Sequence, residues 1–266
     1  MGQKASDMHA QSETSASDGY ILETRNLVKE FKGFLAVNDV SLRVRTGSIH
    51  GLIGPNGAGK TTVFNLLTKF LAPTRGTIWF KGADITRHKP AEIARSGIVR
   101  SFQISAVFPH LTVLENVRIG LQRKLHDSFH FWESEHVLSV LDNRALELLS
   151  QVGLEGSAQT VAVELPYGRK RALEIATTLA LDPEVLLLDE PTQGLGHEDV
   201  DRVKDLIRKL AAHRTVLLVE HNMSVVSDLC SMITVLQRGA VLAEGTYAEI
   251  SSNSQVLEAY MGANHA

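Results

Sequence analysis

The chain has 266 residues, 44% hydrophobic and 21% charged, with a formal net charge of −3; this is too long for a minimal domain and short for two independent ones, with enough apolar content for a real core. The near-balanced charge gives no global drive toward nucleic acid or anionic lipid, and the single cysteine, Cys230, excludes an intramolecular disulfide and suits a reducing cytosol. No apolar run approaches the ~18 residues that span a bilayer, and the N-terminus carries no signal-peptide hydrophobic stretch. In chain order, residues 1–19 are rich in Ser, Ala, Gln, Asp and Gly without periodicity and read as a disordered leader. Residues 20–250 are expected as one folded domain and 251–266 as a C-terminal tail. Residues 21–53 read as strands and turns, and 77–80 as a further strand after the turn Thr74-Arg75-Gly76, giving a small β-rich lobe. Within it, 49–53 is a short buried strand, and 62–68 carries the apolar spacing of an amphipathic helix. Residues 98–102 lead into a loop. The pattern then turns helical from 111 to 152, clearest at Ala145-Leu146-Glu147-Leu148-Leu149, and predicts a helical subdomain over about 104–163. The apolar runs 185–188 and 216–219 complete a mostly parallel core with crossover helices, so the fold class is α/β.

Between the 49–53 strand and its helix lies Gly54-Pro55-Asn56-Gly57-Ala58-Gly59-Lys60-Thr61-Thr62, which fits the phosphate-loop pattern G-x-x-x-x-G-K-[ST]. Glycines there let successive backbone N–H groups turn toward phosphates at the positive end of a helix. Lys60 is expected to reach the β- and γ-phosphates, and the Thr61 hydroxyl to ligate Mg²⁺. A glycine-rich turn without a ligand is the alternative. The 185–188 strand ends in Asp189 and Glu190, which suit a metal ligand followed by a base that takes a proton from the attacking water. An Asp-Glu pair that merely caps the next helix is the bland reading.

Leu165-Pro166-Tyr167-Gly168-Arg169-Lys170-Arg171, followed by the helix-forming run 172–180, resembles the signature of ABC transporter ATP-binding subunits, in the Tyr-Gly form of the branched-chain amino-acid uptake type. The resemblance runs from about Ile21 to Gly262. It implies a P-loop RecA-like core with a small antiparallel β-subdomain and an α-helical subdomain. It further implies that Phe31 stacks on adenine, that Gln103 of Ser101-Phe102-Gln103 touches Mg²⁺ or the lytic water, and that His221 senses the γ-phosphate. Pro166, Tyr167 and Gly168 would then close on the ATP held by a second ATP-binding subunit, in a homo- or heterodimer. Implied partners are transmembrane permease subunits and, indirectly, an extracytoplasmic solute-binding protein, with no nucleic acid; the implied location is cytoplasmic, on the inner face of the plasma membrane. Branched-chain or related amino acids are the implied solutes, with urea, amides or small carboxylates open.

Taken singly, several of these residues read differently: Phe31 as an edge-strand or core residue, Gln103 as a solvated loop side chain, His221 as structural. Two positions depart from the family pattern. Pro166 replaces the usual Ser and removes a hydroxyl and an N–H, while Gly196 stands where Asp or Asn normally helps couple the two ATP sites. Either departure is compatible with an ATP-holding, weakly catalytic partner in an asymmetric heterodimer. Arg169, Lys170 and Arg171 crowd the first turn of a helix, where cations oppose the dipole by ~0.3–1 kcal/mol each, so a facing anion is expected, with a solvated basic face as the alternative. His126 and His130, near Asp127, Glu133, Glu135 and His136, have formal metal-ligand spacing, yet such pairs arise by composition in a polar segment. Phe108 and Leu111 are candidates for a groove that receives a permease helix, or for ordinary packing. The Asn-Lys-x-Asp motif of GTPases is absent.

Overall fold

The computed structural model describes residues 19–101, 107–122 and 135–262. Residues 1–18 of the expected leader, Gln103 and the His126–His130 pair with Asp127 and Glu133 lie outside the described residues, as do the side chains of Glu135 and His136. The elements are β1 (Tyr20–Phe31), β2 (Phe34–Val40), β3 (Arg43–Arg45), β4 (Ile49–Ile53), α1 (Lys60–Leu67), β5 (Arg75–Phe80), β6 (Ala83–Asp84), α2 (Pro90–Ser96), β7 (Ile98–Arg100), α3 (Val113–Gln122), α4 (Glu135–Gln151), α5 (Tyr167–Leu179), β8 (Val185–Asp189), α6 (His197–Ala211), β9 (Thr215–Val219), α7 (Met223–Leu229), β10 (Met232–Gln237), β11 (Ala240–Gly245), α8 (Tyr247–Ser252) and α9 (Ser254–Gly262).

The core sheet has the order β11-β10-β4-β9-β8-β7, with every neighbouring pair parallel except β10 with β11. All five residues of β4, β8 and β9 are buried, the continuous apolar run that a parallel sheet covered on both faces requires. Period-two alternation divides them. Leu186, Leu188, Val216 and Leu218 join one apolar cluster with α3 to α7, whereas Val185, Leu187, Leu217 and Val219 join another with α1 and the antiparallel lobe. That second lobe has the order β2-β1-β5-β6, with β3 also pairing with β1. Because β4, β9 and β8 are adjacent and point the same way, the residues after them share one sheet edge, where ligands bind in open α/β sheets.

Two expectations are corrected. The turn expected at Thr74-Arg75-Gly76 is largely strand: β5 begins at Arg75, and a bulge between Arg25 and Val28 of β1 lets it continue. Gly76 has φ 85°, and a Cβ there would lie 2.3 Å from the Asn26 carbonyl oxygen, so glycine marks the bulge rather than a chain reversal. The second concerns 251–266, set aside as a tail. It contains the whole of α9, whose Val256 and Ala259 are buried; Val256, Ala259 and Tyr260 recur at helical spacing.

The helical region is built on α3, which packs against both α4 and α5. Thr112 and Glu115 form a reciprocal cap at the start of α3: the Thr112 N–H donates to Glu115 Oε2 at 2.7 Å, and the Glu115 N–H donates to Thr112 Oγ1 at 3.2 Å. Buried Asn116 staples the preceding loop, accepting from the Phe108 N–H at 2.7 Å and donating to the Phe108 and Thr112 carbonyls at 3.1 and 2.9 Å. Phe108 is left half exposed, while Leu111 is partly buried.

Candidate active site

The phosphate loop lies between β4 and α1 as expected. Gly54, at φ 147°, has the Leu236 carbonyl oxygen 2.1 Å from where a Cβ would stand, and Gly59, at φ 102°, has the Ala36 carbonyl oxygen at 2.6 Å; no other residue fits either position. Gly59 is the N-cap of α1, so the free N–H groups of Lys60, Thr61 and Thr62 open onto the loop. Lys60 is buried and its Nζ donates to the carbonyls of Gly54 at 2.7 Å and Pro55 at 3.0 Å, spanning the loop from within. Burial pulls its pKa below the usual lysine value, opposed by the nearby carboxylates of Glu190 and Asp189. Thr61 is exposed. The loop is also met from the C-terminal helix, where the partly buried phenol of Tyr260 accepts a hydrogen bond from the Gly54 backbone and has a pKa pushed up to about 12 by burial.

Asp189 ends β8 with no exposed surface. Its Oδ2 pairs with the Arg100 guanidinium, which also donates to Asn65 Oδ1 at 2.6 Å, while Oδ1 has no hydrogen-bond partner among the described residues. A buried carboxylate oxygen without a partner is costly unless a cation or water meets it. This feature, together with Thr61 on the adjoining loop, fits a divalent cation of the hard, oxygen-liking kind.

Glu190 leaves the strand at φ 49°, a left-handed conformation that costs a non-glycine residue about 1–2 kcal/mol. Its N–H donates to the Val219 carbonyl at 2.8 Å, and the turn aims its carboxylate across the sheet edge, where Oε1 lies 2.7 Å from His221 Nε2. The end of β9 is fixed by Glu220, a buried carboxylate. Its Oε1 accepts from the Thr192 N–H and hydroxyl at 2.9 and 2.7 Å, and its Oε2 accepts from the His221 N–H at 3.1 Å. Asn56, Glu190, Thr192, Glu220, His221 and Asn222 line a cleft of about 400 Å³.

Phe31 sits half exposed at the tip of the β1–β2 hairpin, in register with the more exposed Phe34, and Lys29 Nζ lies 5.0 Å from its ring centroid. Strand β2, which begins at Phe34, passes the phosphate loop at Ala36, so the β1–β2 hairpin that flanks the loop carries two aromatic faces, of which sequence reasoning named one. Pro166 is the N-cap of α5; Tyr167 is exposed and its hydroxyl donates to the Gln193 carbonyl at 3.4 Å; Gly168 abuts Asp199, whose Oδ2 would lie 2.6 Å from a Cβ.

The expected anion facing the basic first turn is not matched at Arg171. It is buried, and it donates to Glu174 Oε2 and to the carbonyls of Asp189, Glu190 and Pro191. Arg169 is tied to Ser157 Oγ at 3.0 Å. Helix-dipole reasoning priced these cations as exposed, but Arg171 points to the core face. Arg100, Glu220 and Tyr260 were missed altogether. The available signals were a charged residue at the end of an apolar strand for the first two and the spacing within α9 for the third.

A family model described as ABC transporter matches residues 37–193, and one described as Branched-chain amino acid ATP-binding cassette transporter matches residues 240–266. The chain is 41% identical over 252 residues to the high-affinity branched-chain amino acid transport ATP-binding protein BraF of Pseudomonas aeruginosa, covering 91% of this chain and 98% of that protein. It is 39% identical over 254 residues to LivG, of the same description, from Escherichia coli K12, with the same coverage. Among solved structures it is similar to the ADP conformation of an ATP-binding cassette of an ABC transporter, with TM-score 0.81 and 32% identity over 91% of this chain and 99% of that one. It is also similar to a cassette in a dimeric post-hydrolysis state bound to ADP and Pi, with TM-score 0.73 and 27% identity over 85% and 99%. With a family model matching more than half its length and relatives near 40% identity along almost their whole length, the chain belongs to the ABC transporter ATP-binding family and is an ATPase subunit.

Proposed function

We propose that this chain hydrolyses ATP as one half of a dimer and so powers the uptake of branched-chain or related amino acids through a separate membrane permease. The observation that carries the catalytic part is the Glu190–His221 pair at the edge where the phosphate loop and Asp189 also lie. ATP is held by the loop N–H groups and Lys60, with adenine on Phe31. Asp189, Thr61 and Gln103 are the residues that would hold Mg²⁺. When bound, that ion supplies positive charge to the β- and γ-phosphate oxygens. Glu190 takes a proton from the attacking water as the water oxygen bonds to the γ-phosphorus and the bond to the β-phosphate oxygen breaks, releasing ADP and phosphate. His221 holds the Glu190 carboxylate in place and faces the γ-phosphate.

Support for a dimer comes from the similar cassette in its dimeric ADP- and Pi-bound state, and from Pro166 and Tyr167, exposed beside partly buried Gly168 on the surface that would meet a second nucleotide. Support for the solute comes from the descriptions of BraF and LivG. No described helix is long and apolar enough to cross a membrane, which agrees with a peripheral subunit on the cytoplasmic face of a permease; half-exposed Phe108 and Val163 are candidates for that contact. Pro166 favours a second reading, an asymmetric dimer in which this subunit binds more ATP than it hydrolyses.

The test is ATP turnover by the purified chain beside Glu190→Gln, with dimer formation followed by light scattering in Mg-ATP. Wild-type turnover with an ATP-trapped mutant dimer supports a self-sufficient homodimer. Neither turnover nor dimerisation would move the working unit to a heterodimer or to the permease complex. Uptake of labelled leucine against labelled urea, in vesicles carrying the chain with its permease, tests the solute.

A further inference from the structure

We infer that Arg171 is a positioning residue that carries the state of the 166–168 segment to the backbone aiming Glu190 in the same subunit. This rests on the proposed dimer, in which that segment is pressed against the partner's nucleotide.

The guanidinium is buried and its donors are spread over consecutive carbonyls. Nη2 donates to the Asp189 oxygen at 2.9 Å and the Glu190 oxygen at 3.3 Å, and Nε donates to the Pro191 oxygen at 3.3 Å. These carbonyls lie where β8 ends at Asp189 and the chain bends left-handed at Glu190, so past Asp189 the sheet ladder no longer fixes the backbone. A planar fork of N–H groups suits that array; a single ammonium has neither the number nor the directions of donors. Nη1 is held in turn by Glu174 Oε2 at 2.6 Å, one turn along α5, so the fork is oriented by its own helix.

A second link runs parallel to the first. The Tyr167 hydroxyl donates to the Gln193 carbonyl at 3.4 Å, and a Cβ at Gly194 would lie 3.6 Å from the Tyr167 ring, while Gly168 packs on Asp199. The first turn of α5 therefore grips 189–191 through Arg171 and 193–199 through Tyr167 and Gly168. A shift of this turn when Pro166 to Gly168 engage the facing nucleotide is transmitted to the carbonyls on either side of the Glu190 peptide. Misplacement of a reacting group by about 1 Å costs on the order of a hundredfold in rate, so a grip at this point sets turnover without touching nucleotide.

The experiment uses the full chain with Arg171→Lys, with the double variant Arg171→Met/Glu174→Met and with Glu174→Gln. The double variant removes both buried charges, so neither is left unpaired, and replacement of a buried pair by apolar residues is often tolerated. We expect Arg171→Lys and the double variant to lose kcat by at least about tenfold, with KM for ATP and binding of a fluorescent ATP analogue within about twofold of wild type. Their steepness of turnover against ATP should fall as well. Glu174→Gln, which leaves the carbonyl bonds in place, should keep kcat within about threefold. Wild-type kcat in a folded double variant would overturn the role. So would a loss of kcat matched by an equal loss of ATP binding, since that is a structural effect. Absence of turnover in the wild type is a different result: it removes the self-sufficient homodimer on which this role rests, and this role in it.

Discussion

The Glu190 carboxylate and the His221 imidazole meet at 2.7 Å although 31 residues separate them. The meeting follows from the sheet: β8 and β9 are parallel neighbours with Asp189 in register with Val219, so the residues beyond each strand emerge side by side. The left-handed turn at Glu190 then brings its side chain toward His221 rather than along the strand.

Glu190→Gln keeps the shape and loses the base. General-base catalysis is worth about 10²–10⁴-fold, so kcat should fall by that much while ATP binding persists, and the ATP-bound dimer should accumulate. His221→Ala leaves the Glu190 carboxylate without this partner and should reduce kcat less. Steady-state turnover with light scattering measures both. If Glu190→Gln retained wild-type turnover, the base would have to be another group.

Pro166 caps α5 without a side-chain hydrogen bond, and its carbonyl accepts from the Lys170 N–H at 2.9 Å. Pro166→Ser supplies a hydroxyl cap worth about 1 kcal/mol, offset by about 0.4–1 kcal/mol from a freer unfolded chain. Stability should therefore stay nearly constant. Dimer formation in Mg-ATP should tighten, because a hydroxyl and an N–H are restored toward the facing phosphate. Unchanged dimerisation in a folded variant would remove Pro166 from the interface.

Gly196 caps α6 at φ −73° and ψ 165°, and a Cβ there would meet nothing within 4 Å. Gly196→Asp therefore introduces no strain and should stabilise the helix by a few tenths of a kcal/mol, about 1 °C in Tm. The sharper expectation is functional: turnover should depend more steeply on ATP as the missing coupling carboxylate is restored. An unaltered Hill coefficient would show that Gly196 does not limit communication between sites.

What was legible in the sequence was local or repetitive. The phosphate loop is nine adjacent residues, and β4, β8 and β9 announce themselves as apolar runs ended by functional groups. What escaped depends on partners far along the chain. Arg100 and Asp189 are 89 residues apart, and Glu220 grips Thr192 across 28, so neither role has a local pattern. Arg171 was misread for a related reason. Its charge suggested solvent or phosphate, whereas the core face of α5 places it against backbone carbonyls that exist only once β8 has been laid beside it.

Acid sensitivity should centre on His50, which is buried in β4. The Thr234 hydroxyl donates to Glu244 Oε2 at 2.8 Å, so it accepts from His50 Nε2–H, also at 2.8 Å, and the imidazole is neutral with its proton on Nε2. Burial lowers its pKa to about 4 from the ordinary 6.5. Between those values the unfolded chain binds a proton that the folded chain refuses, so stability rises with pH through this window. The contribution is complete above about pH 6.5 and is lost as pH falls toward 4, amounting to about 3 kcal/mol over the window. His50→Gln keeps an N–H donor for Thr234 and does not titrate. Urea unfolding at pH 7, 6, 5 and 4.5 should show a steeper loss in wild type than in His50→Gln, and equal slopes would mean that the acid sensitivity comes from carboxylates elsewhere in the chain.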